Sequence, residues 1–83
     1  MIVVTIELRS AVSRDRDKVL GVVGIANDGT GDADRASYDA VASRGPRGKS
    51  YVGRVEGFPK KSRSALELLR RALNAMHENG GLP

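Results

Sequence analysis

The sequence predicts an α+β fold in one small domain spanning residues 1–83: a four-stranded antiparallel meander, then one C-terminal amphipathic helix packed on one sheet face (β-β-β-β-α). Three observations carry that expectation. Residues 2–9 alternate with a period of two, residues 65–76 repeat apolar positions at helical spacing, and 83 residues have room for one core only. A domain of this size buries roughly 60% of the surface its unfolded chain exposes. Most of its apolar side chains therefore serve that core, and little surface is left for a deep catalytic pocket.

Each element follows in order. Ile2, Val4, Ile6 and Leu8 lie on one side of an extended chain, and Val3, Thr5, Glu7 and Arg9 on the other. Residues 12–18 (VSRDRDK) mix charges of both signs without apolar periodicity and read as a solvated hairpin connection. A second strand follows over residues 19–26. Val19, Val23 and Ile25 fall on one face and Leu20, Val22 and Ala26 on the other. Either that strand is central and covered twice, or one of its faces awaits a partner. Residues 27–34 (NDGTGDAD) form a turn-rich stretch. Its Asp28, Asp32 and Asp34 offer oxygens for calcium, but the glycine and glutamate that an EF-hand loop needs are out of register. Asx turns account for these residues without an ion.

Residues 36–43 alternate as a third strand with small inward residues, although their alanines also permit a short helix. Residues 44–50 (RGPRGKS) read as a loop. Residues 51–58 (YVGRVEGF) read as a fourth strand in which Gly53 and Gly57 mark a close backbone approach or a bulge, and Pro59 ends it. Ala65, Leu66, Leu68, Leu69, Ala72, Leu73, Ala75 and Met76 then make one broad apolar helix face. Ser64 and Glu67 match a capping box, with Ser62 an equally good N-cap, and Asn79-Gly80-Gly81 supplies the stop. One helix covers one face of such a sheet. The other face, with Val3, Thr5 and an apolar row of the second strand, is either open to solvent or an interface.

Composition removes several chemistries. With no cysteine, the chain cannot form a disulfide scaffold, a thiolate zinc site, an iron–sulfur cluster or a thiol nucleophile, which fits a reducing compartment or a disulfide-free particle. No apolar run approaches the roughly 20 residues of a membrane span, and MIVVTIELRS lacks the basic start of a signal peptide. A soluble protein without membrane contact is expected. No catalytic set converges either. His77 lies on the polar helix face, where it suits the helix C-terminus as a solvated side chain, and as a base it would lack a nucleophile and an orienting group. Gly48-Lys49-Ser50 repeats the end of a phosphate-binding loop, but Ser43 stands where its first glycine belongs. No catalytic residue, metal or cofactor is expected.

Charge is distributed unevenly. Residues 1–43 hold five cations against seven acids, and residues 44–83 hold nine cations against three acids. The basic set is Arg44, Arg47, Lys49, Arg54, Lys60, Lys61, Arg63, Arg70 and Arg71. Lys60, Lys61 and Arg63 oppose the dipole at the helix start, a cost that a bound anion offsets. The anion is nucleic-acid phosphate or an acidic protein surface; alternatively, the set is a solvated face that keeps a small protein soluble. Aromatic stacking platforms are scarce, so any nucleic-acid contact would run through the backbone and weaken with salt.

Ile25-Ala26-Asn27-Asp28-Gly29-Thr30-Gly31, Tyr38-Asp39, Gly53-Arg54-Val55-Glu56-Gly57 and the leucine-rich closing helix resemble small proteins encoded by tailed phages and prophages. The resemblance covers most of the chain, rests on turn and strand signals, and transfers no functional residue. It implies a non-enzymatic structural or accessory protein, located in the virion or the host cytoplasm, that binds capsid, head–tail or tail proteins or itself. The alternative reading is a basic nucleic-acid-binding or host-modulating module.

Overall fold

The computed structural model describes residues 1–10, 18–25, 36–58 and 64–82. Of the expected connection over residues 12–18, only Lys18 is described, and it opens β2 opposite Leu8 rather than lying in a loop; the turn and calcium alternative at 27–34, Ser62, and the cations Lys60, Lys61 and Arg63 lie outside the described residues. The elements are β1 (Ile2–Ser10), β2 (Lys18–Ile25), β3 (Ala36–Arg44), β4 (Lys49–Phe58) and α1 (Ala65–Glu78), which gives the expected β-β-β-β-α order. All pairings are antiparallel and form one sheet.

The neighbour order departs from a meander. The strands stand β2-β1-β4-β3, so two hairpins lie side by side and meet through β1 and β4. Burial explains the choice. Ile2, Val4, Ile6 and Leu8 of β1 and Val52 and Val55 of β4 are the strand residues most in need of cover, along with Ile25. The two central positions give them neighbours on both sides. Residues 36–43 are extended, which settles the strand-or-helix alternative, and the predicted loop at 44–50 shrinks to a 3-10 turn, Pro46–Gly48, closed by Gly45 N–H donating to the Lys49 carbonyl at 2.8 Å. Arg44, Lys49 and Ser50 belong to the strands because the turn needs so few residues.

The helix runs across the strands in a trough of small residues. Gly21 of β2 and Gly53 of β4 both pair with Ile6, and Ala40 of β3 pairs with Gly53. A Cβ on Gly53 would overlap Leu69, and one on Gly21 would stand 3.1 Å from Met76 Cε. Leu69 and Met76, two turns apart on α1, thus bed down over β4 and β2. Leu68, Leu69, Ala72 and Leu73 are the buried helix residues, and burying each leucine contributes about 1.5–3 kcal/mol. Ser64 is the N-cap, its Oγ accepting from the Glu67 N–H. At the other end Gly80 (φ +72°) turns the chain, its N–H donating to His77 and that of Gly81 to Met76, a Schellman closure that brings Leu82 back onto the core.

Gly57 (φ +76°) is the extra residue where Ala36 and Ser37 pair with Phe58 and Glu56. Of the two glycines flagged in the fourth strand, Gly53 therefore serves close approach and Gly57 a bulge.

Candidate functional site

The face of the sheet away from α1 is built by the odd-numbered residues of β1 and their cross-strand partners. One row reads Val19, Glu7, Val52, Val41, and the next reads Val22, Thr5, Arg54, Asp39. Val19, Val22 and Val41 are 58%, 63% and 59% exposed, and Met1 extends the apolar edge over Gly24. Between the two valine edges runs a charged band. Arg9 Nε meets Glu7 Oε2 at 2.7 Å, and Arg54 Nε lies 3.6 Å from Glu56 Oε1 while donating to Ser37 Oγ at 3.3 Å. Val3 and Thr5 are half-buried.

This differs from the expected composition of the face. Val19 was expected to share a side with Val23 and Ile25, yet it pairs with Glu7, because the register shifts between Ile6 and Glu7 and leaves Leu20 as the extra residue. The bulge turns Leu20 toward the core and joins Val19 to Val22 on the open side.

A second concavity lies on the helix side, between α1 and the end of the β3–β4 hairpin. Its floor is Ala42, Leu73 and Leu82, and its volume is about 320 Å³. Arg70, Asn74 and His77, spaced i, i+4 and i+7, rim it from the helix, and Ser43 and Tyr51 rim it from the hairpin. Leu82 reaches the floor because the Schellman turn folds it back. Among the described residues none that lines it is acidic.

The structure disperses the predicted basic set. Arg44, opposite Ser50, and Arg54, opposite Thr5, belong to the open sheet face. Arg47 sits at the hairpin tip with φ +56° and shares a groove with Lys49, Leu8 and Pro46. Arg70 rims the cleft, and Arg71 is exposed on the helix outside it. Arg70 and Arg71 are therefore separated from Arg44 and Arg54 by the thickness of the sheet. Sequence reasoning took His77 and Arg70 separately and missed their common cleft. The available signal was charge by helix stripe: positions 67, 71 and 78 carry Glu, Arg and Glu, whereas 70, 74 and 77 carry no acid.

No family model matches the chain, and no curated protein or solved structure matches it either. Among the described residues no cluster of three or more His, Cys, Asp or Glu side chains is placed to hold a metal ion, and no helix is long and apolar enough to cross a membrane.

Proposed function

We propose that this chain is a small non-enzymatic binding module that docks on another protein through the sheet face that α1 leaves open. The observation that carries the reading is the one-sided cover: three valines stand more than half exposed on that face while the opposite face holds the core. A partner with two apolar ridges and a mixed-charge centre would bury Val19, Val22 and Val41 and keep both ion pairs at the middle of the contact. In the phage setting implied by the resemblance, the partner is a capsid, head–tail or tail protein, or a second copy of this chain.

Proteomics of purified particles and binding assays test it together. Presence in the particle, and release from it by the double substitution Val22→Lys and Val41→Lys, is the expected result. Absence from particles, combined with DNA or RNA binding that weakens steeply as salt rises, would transfer the function to the nucleic-acid alternative.

A further inference from the structure

We propose that the cleft between α1 and the β3–β4 hairpin binds a small carboxylic acid: a carboxylate on a short apolar body. This site lies on the helix side of the sheet and stands independently of the protein-docking reading. Its volume of about 320 Å³ is at the lower end for small-molecule sites, which suits an aromatic or branched aliphatic acid. The floor of Ala42, Leu73 and Leu82, with the Tyr51 ring beside it, takes the apolar part. Arg70 takes the charge. Its guanidinium is a planar cationic fork of N–H donors that matches the two oxygens of a carboxylate. Among the described residues no carboxylate pairs with it.

The chemistry around Arg70 narrows the ligand. Asn74, one turn on, and Ser43, across the cleft, add directional donors, so a planar two-oxygen group can be held from more than one side. A dianion such as a phosphomonoester would call for a second permanent cation, and among the described residues that line the cleft Arg70 is the one arginine or lysine. The two acids of α1, Glu67 and Glu78, are not among the residues that line the cleft.

The test is a titration of the full chain, followed by amide chemical shifts, with 3-phenylpropionate, its neutral amide 3-phenylpropionamide, phenyl phosphate, and N-acetyl-Gly-Gly-Phe with a free C-terminus. Saturable shifts at Ser43, Asn74 and His77 are expected with 3-phenylpropionate. Arg70→Gln should weaken binding about tenfold, the loss of a charge-assisted hydrogen-bonded pair, and the amide should bind weaker by a similar factor. Asn74→Ala should weaken it less, and Arg71→Gln should leave it unchanged. No saturable shift, equal affinity for the amide, or equal losses from Arg70→Gln and Arg71→Gln would each overturn the site. Tighter binding of phenyl phosphate would overturn the carboxylate assignment, and tenfold tighter binding of the peptide would replace the free acid with a protein C-terminus. None of these outcomes bears on whether Val22→Lys and Val41→Lys release the chain from particles.

Discussion

A methyl group added at Gly53 tests how α1 sits on the sheet. The new Cβ overlaps Leu69 Cδ1 and stands 3.1 Å from both Cδ2 and Cγ, and Leu69 has no exposed surface into which it can swing. Turning the leucine exchanges one methyl for the other, so relief requires α1 to lift. Overpacking of this kind costs about 1–3 kcal/mol. A domain of 83 residues has roughly 4–12 kcal/mol of stability in total, so Gly53→Ala should be folded but clearly weakened. Urea unfolding followed by circular dichroism reads the change as a lower midpoint at unchanged slope. Leu69→Ala alone should cost about 2–5 kcal/mol through the cavity it leaves. In that background Gly53→Ala should cost almost nothing, because the group it struck is gone, giving a coupling of about 1–3 kcal/mol between the two sites. A Gly53→Ala protein as stable as the parent, or an equal penalty in both backgrounds, would refute the seating of the helix on the Gly21-Ile6-Gly53-Ala40 row.

Three further outcomes are expected. Arg47→Asn should raise the melting temperature by a few degrees, because Arg47 is held at φ +56° and asparagine tolerates that region better; a lower temperature would mean that the arginine side chain contributes more than its backbone strain costs. Ser64→Ala should remove about 1 kcal/mol and some helical signal, with Ser64→Asp close to the parent, and unchanged stability in the alanine variant would deny Ser64 the capping role. Gly57→Ala should destabilise by more than about 1 kcal/mol, since φ is +76° and the added Cβ would lie 2.7 Å from the Met1 carbonyl oxygen; a neutral result in thermal unfolding would show the bulge to be relaxed.

Local patterns made much of this fold legible. The alternation of Ile2, Val4, Ile6 and Leu8 marked both a strand and its buried side, because one covered face imposes period two directly on the residues. The capping residue was narrowed to two serines, and Ser64 is the one whose hydroxyl reaches Glu67. What stayed hidden depends on pairing between distant segments. Strand order is set by which rows must be buried together, so β4 takes a central place that adjacency along the chain does not suggest. The bulge at Leu20 is likewise a property of two strands, and it moved Val19 to the other side of the sheet. The basic residues were visible as a count but not as a surface, since a strand and a helix packed on it point their outward side chains in opposite directions. The cleft was invisible for a related reason: its walls come from α1, the hairpin and the residue after the helix stop.

The pairing of β1 with β4 has a consequence for synthesis. Among the described strands, β1 is zipped on one side to β4, the most distant in sequence, and an isolated two-stranded ribbon is at best marginally stable in water. The Ile2-to-Leu8 row therefore waits for the distal hairpin before it gains a lasting neighbour on that side, and the helix that seals both arrives later still. A nascent chain of this topology keeps that row uncovered until both the distal hairpin and α1 have been made, so this unit folds as a whole rather than piece by piece.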